Sequence, residues 1–136
     1  MAIQLRSATR DARLDAIETY GGTTCACRIY TGAQPADVTV ANSGTLLAEF
    51  NLPTDWMAAA SGGSKAKAGT WQDTSADGTG TPGHFRIYNN QTTKDGTTCF
   101  IQGSAAVGSG DMNFDGTVTT GQQVTVNTFT LTDGNA

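Results

Sequence analysis

Side-chain oxygens recur at alternate positions of Asp111–Asp115, the sequence D-M-N-F-D, and Gly116 follows. This order of residue types opens an EF-hand calcium loop, in which oxygen ligands surround a hard cation. The twelfth position of such a loop holds Gln122, which cannot supply the bidentate carboxylate, and no helical pattern flanks the segment. We therefore favour a short strand that turns Met112 and Phe114 inward, and calcium binding by this segment is the alternative.

Catalytic residue types are sparse elsewhere in the chain. His84 is the single histidine, and it lies within an apolar stretch typical of a strand. The chain contains neither a G-x-S-x-G nucleophile motif nor a G-x-x-x-x-G-K-[ST] phosphate loop. The aspartates stand mostly in turn sequences, where they bond the local backbone. We predict no catalytic residue, no cofactor and no metal, and we expect that the protein is not an enzyme.

Trp56 and Trp71 offer aromatic faces on which sugar rings stack in carbohydrate-binding domains. Two tryptophans in a domain this small more often anchor a core or an interface, and we predict that role for both. Lys65 and Lys67 form the only basic pair outside the helical segment described below. They lie in the glycine-rich segment 61–69, which we expect to be a flexible loop, and they are too few for a phosphate-binding groove.

Three cysteines are present, with Cys25 and Cys27 two residues apart and Cys99 distant from both. The odd number argues against a disulfide framework, and zinc would need closer pairs and a fourth ligand. We predict buried free thiols, which a reducing compartment favours. A disulfide at Cys99 and a metal site are the alternatives.

Residues 8–20, A-T-R-D-A-R-L-D-A-I-E-T-Y, form the one convincing helical segment. We expect Ser7 or Thr9 to cap its start and Gly21-Gly22 to end it. A helix of about thirteen residues is marginal in isolation, so this helix must dock on something. Three faces present themselves: a small-residue face that leads to Tyr20, a basic and apolar face, and an acidic stripe. The small-residue face consists of Ala8, Ala12 and Ala16. The basic and apolar face consists of Arg10, Arg13 and Ile17. The acidic stripe consists of Asp11, Asp15 and Glu18.

Two docking modes remain open for this helix. In the first, the alanine face packs on the protein's own sheet. In the second, the helix is a terminal element that grips a neighbouring protein, and Arg10, Arg13 and Ile17 form the candidate partner interface.

The composition is typical of one modest β-rich domain. The 136 residues include 17 glycines and 23 threonines, which favour turns and strands, and 15% are charged. A net charge of −4 argues against nucleic acid or an anionic membrane as a partner. No apolar run approaches the ~18 residues of a membrane span. The first residues lack the apolar core of a secretory signal, so we expect a soluble, unexported protein.

Alternating apolar residues predict seven or eight short strands after the helix. We expect an all-β fold, a β-sandwich or jelly roll with one short N-terminal helix, and a small barrel is the alternative. Residues 1–22 form the N-terminal arm and helix, and residues 23–136 form the single β-sandwich domain. The sequence R-I-Y occurs at 28–30 and again at 86–88, with isoleucine expected to face the core. The predicted strands are Cys25–Thr31, Asp37–Val40, Thr45–Leu52, a short one around Trp71, His84–Tyr88, Thr98–Gln102 and Gln122–Thr132, the last with a bulge near Asn127.

Five segments together resemble a family of small virion proteins of tailed bacteriophages. They are R-D-A-R-L-D-A-I-E (10–18), R-I-Y-T-G (28–32), L-A-E-F-N-L-P-T-D-W (47–56), G-H-F-R-I-Y (83–88) and G-Q-Q-V-T-V-N-T-F-T-L-T (121–132). The likeness spans nearly the whole chain and includes no catalytic motif. In size and β-rich character the chain is similar to the capsid cement, or decoration, proteins of that group.

The resemblance implies a jelly-roll-like protein that binds the outside of an HK97-like shell across neighbouring major capsid proteins and stabilises it. The expected partners are the major capsid protein and a second copy in a homodimer, with no nucleic acid and no membrane. The expected location is the capsid surface of the virion, after assembly in the host cytoplasm. Two rival functions are a tail- or fibre-associated module that recognises host glycans and a tail or connector structural protein.

Overall fold

The computed structural model describes residues 3–114 and 116–134. Within these residues the chain is mostly β, with one helix followed by nine strands. An all-β chain with one short N-terminal helix was expected, and at this level the prediction is confirmed. The elements are α1 Ser7–Gly21, β1 Ala26–Tyr30, β2 Leu46–Asn51, β3 Ser64–Ala66, β4 Gln72–Asp73, β5 His84–Tyr88, β6 Cys99–Val107, β7 Met112–Phe114, β8 Val124–Thr125 and β9 Thr128–Thr132.

Seven of the strands form one hydrogen-bonded sheet in the order β2-β1-β5-β6-β7-β9-β3, and β4 pairs separately with β8. The long strand β6 joins the two halves of this sheet. Its residues as far as Ser104 pair antiparallel with β5, and Ala105–Val107 pair parallel with β7. Strand β1 lies antiparallel between β2 and β5.

Aromatic side chains from both halves of the sheet meet in one core. Phe85 of β5 contacts Phe129 of β9 edge to face, with ring centroids 5.3 Å apart. Trp71 lies 5.2 Å from Phe129, and Trp56 lies 6.2 Å from Trp71. Both tryptophans are fully buried, which confirms that they anchor the core. Large aromatic side chains contribute much of the apolar area that a small domain buries.

Both outer edges of the seven-stranded sheet are covered by other parts of the chain. Along β2, the Leu47 carbonyl accepts hydrogen bonds from the N–H groups of Asp77 and Gly78. Along β3, the Ala66 carbonyl accepts one from the Ala58 N–H. These backbone groups are therefore not open to a strand from another chain.

The repeated sequence R-I-Y places its residues as predicted. Arg28 in β1 lies directly opposite Arg86 in β5. Ile29 and Ile87 are fully buried in the apolar core, and the arginines lie on the opposite face of the sheet.

Segment 32–42 covers that opposite face, and Arg86 holds it there. The guanidinium group donates hydrogen bonds to the carbonyl oxygens of Val38 at 2.6 Å and Val40 at 3.0 Å, and to Asn42 Oδ1 at 2.7 Å. Arg86 is fully buried, so its charge depends on these oxygens.

Two predicted elements are wrong. Asp37–Val40 is a turn and not a strand, because Arg86 takes two of its carbonyl oxygens and the Asp37 carboxylate accepts the Thr39 N–H at 2.8 Å. Segment 61–69 is not a simple flexible loop, since it contains β3, which pairs with β9. The predicted strand Gln122–Thr132 is present as β8 and β9, interrupted next to Asn127, where a bulge was expected.

The ends of α1 agree only in part with the predicted caps. Capping by Ser7 or Thr9 is wrong, because the helix begins at Ser7 and the preceding residue makes no side-chain cap. Gly21-Gly22 does end the helix: Gly22 has φ 75°, and its N–H donates to the Glu18 carbonyl at 2.9 Å.

Replacing Gly21 with alanine is expected to destabilise the protein. A Cβ atom there would lie 2.7 Å from the Phe100 ring and 2.9 Å from the Trp56 ring. Overpacking of this kind costs about 1–3 kcal/mol, which exceeds the usual helix advantage of alanine over glycine. Urea denaturation measures the change in the free energy of unfolding. Gly134→Ala is the matched control, since a Cβ at Gly134 meets nothing within 4 Å. A Gly21→Ala protein as stable as this control would contradict the close packing of the helix end.

Candidate functional site

The helix α1 is attached to the strands through the side chain of Lys65 in β3. The Lys65 ammonium nitrogen lies 2.6 Å from Asp15 Oδ1, 2.8 Å from Glu18 Oε2 and 2.8 Å from the Ala58 carbonyl oxygen. Only 1% of the Lys65 side chain is exposed. An ammonium group has three hydrogen-bond donors, so these acceptors satisfy it fully, and the two carboxylates neutralise its charge.

The charges of Asp15 and Lys65 persist over a wide pH range. The pKa of Asp15 lies below its ordinary value of 3.8, chiefly because the carboxylate accepts a hydrogen bond from Lys65. Burial lowers the pKa of Lys65, but hydrogen bonds to Asp15 and Glu18 outweigh burial and raise it above 10.5. The contribution of Asp15 to the attachment is therefore lost as the pH falls through its lowered pKa, and that of Lys65 as the pH rises through its raised pKa.

The acidic stripe of α1, not its alanine face, docks on the rest of the chain. Asp11 accepts a hydrogen bond from the Gly63 N–H at 2.7 Å, and Asp15 accepts one from the Ala60 N–H at 3.1 Å. Leu14 supplies the buried apolar contact of the helix. The expectation that the alanine face packs on the sheet is wrong, because Ala8, Ala12 and Ala16 are all exposed.

The predicted interface residues Arg10, Arg13 and Ile17 lie on one side of α1, but they are not equally available. The Arg10 guanidinium donates to the Asp133 carbonyl oxygen at 3.0 Å and is half-buried. Arg13 lies 3.3 Å from the Asp133 carboxylate, yet 61% of its side chain is exposed. Ile17 is half-buried at the surface. Arg10 thus binds within the chain, whereas Arg13 and Ile17 remain accessible.

An apolar groove lies between α1 and β6 and is the candidate docking surface. We call it the helix groove; its volume is about 340 Å³, and it is lined by Arg13, Ala16, Ile17, Tyr20, Phe100 and Ile101. Arg13 is the one charged residue in this lining. Tyr20 is 69% exposed, an unusual degree for a large aromatic side chain.

The floor of the helix groove is held rigid by the core. The Phe100 ring lies 5.6 Å from Tyr20 on the groove side and 6.0 Å from the buried Trp56. The sequence analysis missed Phe100 and Ile101 as surface residues. Their signal was two adjacent apolar residues in one predicted strand. Both line the groove because the pairing of β6 with β5 shifts register between Cys99 and Ile101, which interrupts the alternation at Phe100.

The face of the sheet that carries Arg28 and Arg86 holds a polar network whose contacts all lie within the chain. Glu49 pairs with Arg28 and, at 2.7 Å, with Lys94. Burial raises the pKa of Glu49, but hydrogen bonds from Lys94 and Arg28 outweigh it and lower the pKa below 4.5. The Tyr30 and Tyr88 hydroxyls lie 3.3 Å apart, and Arg28 also donates to the Lys94 carbonyl oxygen at 3.2 Å, which holds that loop over this face.

His84 is an ordinary strand residue in β5, as predicted. It is fully buried, its Nδ1 lies 2.9 Å from the Gly32 carbonyl oxygen, and its ring stacks on Tyr30 at 5.2 Å. Burial lowers its pKa below 6.5, and the hydrogen bond to Gly32 offsets this only in part.

The candidate calcium segment forms β7 and the residues beside it. Met112 and Phe114 are buried, as the favoured strand interpretation predicts. Asp111 Oδ2 accepts hydrogen bonds from the Ser104 N–H and hydroxyl at 2.9 and 2.8 Å. Asp115 lies outside the described residues. Among residues 3–114 and 116–134, no group of three histidines, cysteines or acidic residues is placed to hold a metal ion.

The three thiols are free and buried, so the alternative of a disulfide at Cys99 is wrong. Burial raises the pKa of Cys25 to about 11 and also raises the pKa values of Cys27 and Cys99. Neutral thiols of this kind are poor nucleophiles and poor metal ligands.

Substituting Lys65 with methionine is expected to loosen α1. Without the ammonium group, Asp15 and Glu18 lose their partner and the Ala58 carbonyl loses its donor. We expect amide hydrogen exchange in α1 to accelerate at least tenfold, about 1.4 kcal/mol of local stability. Lys67→Met is the matched control, because the Lys67 ammonium group donates to the carbonyl of Gly69, two residues away. Equal protection of α1 in both variants would show that Lys65 does not hold the helix.

His84 is expected to titrate below pH 6.5 in an NMR titration, where the single imidazole gives an unambiguous signal. The unfolded chain binds a proton near pH 6.5 and the folded chain does so only at lower pH. The free energy of unfolding should therefore fall as the pH drops from 6.5 through the folded pKa. In a His84→Phe variant this part of the pH dependence should disappear. An imidazole that titrates at or above 6.5 would contradict its burial.

Among the described residues, no helix is long and apolar enough to cross a membrane. In comparisons with known proteins, no family model, no curated protein and no solved structure matches the chain. Its function must therefore be argued from its own residues and their geometry.

Proposed function

We propose that the chain is a non-enzymatic decoration protein of a tailed-phage capsid. It binds the outside of an HK97-like shell across neighbouring major capsid proteins and stabilises the shell. The observation that carries this proposal is the helix groove, an accessible apolar surface that includes two of the three predicted interface residues, Arg13 and Ile17.

The way α1 is held supports a docking role. Lys65 and the carboxylates of Asp15 and Glu18 fix the helix before any partner arrives. A surface that is already ordered loses little conformational entropy on binding, so a small contact area suffices for useful affinity. On a shell, many equal sites then convert modest single affinities into a large total stabilisation.

The fold we propose is a sandwich of jelly-roll type, with the two halves of the sheet packed face to face. The contact between Phe85 of β5 and Phe129 of β9 supports this arrangement, because it joins strands from opposite halves. We also propose that the protein forms a homodimer in the virion. A glycan-binding module would present exposed tryptophans, and the burial of Trp56 and Trp71 gives that rival no support.

Copy number in purified virions tests the proposal. Quantitative mass spectrometry against the major capsid protein is expected to give a ratio that approaches the number of shell subunits, because a decoration protein occupies the shell lattice. A handful of copies per virion would overturn the proposal and favour a tail or connector protein.

The double variant Arg13→Glu with Tyr20→Ala is expected to reduce the occupancy of stripped shells at least tenfold. It reverses the one charge in the groove and removes its most exposed ring. Lys67→Glu makes the same change of charge away from the groove and should decorate normally. Undiminished occupancy by the double variant, with its circular dichroism unchanged, would exclude the helix groove as the docking surface.

A further inference from the structure

The helix groove combines an apolar pocket with a single positive charge at a fixed distance. Ile17, Tyr20, Phe100 and Ile101 supply apolar walls, and Arg13 precedes Ile17 by one helical turn. Residues four apart on a helix have Cβ atoms about 5–6 Å apart. A ligand that fills the pocket therefore meets a guanidinium group one helical turn away.

The charge of this edge is opposite to that of the whole chain. The net charge is −4, yet Arg13 on α1 and Arg6, the residue that precedes the helix, are both exposed. A guanidinium carries five N–H groups, and Arg13 approaches the Asp133 carboxylate through nitrogen Nη1 at 3.3 Å. The edge is therefore complementary to a partner with a carboxylate, while the acidic chain as a whole repels nucleic acid.

The spacing favours an extended partner segment. In an extended chain, side chains two residues apart point to the same side and lie about 6.6 Å from each other. This separation is close to the distance of about 5–6 Å between the Cβ atoms of Ile17 and Arg13. The N-terminus of a second copy does not fit the groove. If its exposed Ile3 filled the pocket, its Arg6 would lie close to Arg13, and two positive charges would meet.

Building on the proposed function, we infer that the helix groove binds an extended segment of the shell protein with an apolar side chain and a carboxylate two residues apart. The apolar side chain fills the pocket beside Ile17 and Tyr20. The carboxylate pairs with Arg13. A further acidic residue on the same side of the segment extends towards Arg6.

Selection from a display library of random twelve-residue peptides tests this inference without a known ligand. Peptides enriched on the parent protein should carry an aliphatic or aromatic residue two positions from Asp or Glu. Arg13→Glu should change the preferred charge at that position from acidic to basic, while Lys67→Glu should retain the acidic preference. An enriched peptide should bind Arg13→Glu about tenfold more weakly in fluorescence anisotropy.

Three results would overturn the inference: no enrichment on the parent protein, enriched peptides without the acidic position, or the same peptides enriched on Arg13→Glu. Copy number separates its failure from failure of the proposed function. A chain present at shell stoichiometry that shows none of the expected peptide preference is a decoration protein that docks by another surface. A chain with that preference but only a few copies per virion has the groove chemistry and a different partner.

Discussion

The buried ammonium group of Lys65 is the constraint on which the placement of α1 depends. An unpaired charge in this position would cost several kcal/mol, so β3 can carry Lys65 only where carboxylates reach it. Asp15 and Glu18 come from successive turns of one side of the helix, and together they fix its rotation as well as its position. That rotation leaves Arg13, Ala16 and Tyr20 at the surface.

A second buried cation performs a related task on the other face of the sheet. Arg86 binds the carbonyl oxygens of Val38 and Val40 and so orders a segment that has no regular secondary structure. The aromatic core provides the bulk of the apolar burial, and it does not specify where polar segments lie. Here Lys65 and Arg86 determine where α1 and segment 32–42 lie, because each buried cation needs several hydrogen-bond acceptors in fixed directions.

Much of the architecture was predictable from local patterns. Alternation located β1, β2, β5 and β6, and the R-I-Y repeat assigned Ile29 and Ile87 to the core correctly. In β2 the adjacent residues Leu47 and Ala48 are both buried, because a register shift against β1 disturbs the alternation there.

The errors at segment 61–69 and at Asp37–Val40 share a cause, which is that a long-range polar partner overrides the local signal. The local sequence around Lys65 predicts a loop, and it contains no sign of the contacts with Asp15 and Glu18. The local sequence of Asp37–Val40 predicts a strand, whereas in the structure Arg86 donates hydrogen bonds to two of its carbonyl oxygens. Only part of the helix groove was predicted, because the sequence pattern shows just one of its two sides. Helix geometry places Arg13 and Ile17 on one face of α1, whereas Phe100 belongs to a strand some eighty residues further along the chain.

The covered edges of the seven-stranded sheet bear on how this protein behaves when many copies are close together. Unpaired edge strands pair edge to edge as the local concentration rises, and that growth leads to fibres. Here the chain's own loops already occupy the edge positions along Leu47 and Ala66. Copies held side by side on a surface would then not join through these sheet edges, and any contact between them would use other parts of their surfaces.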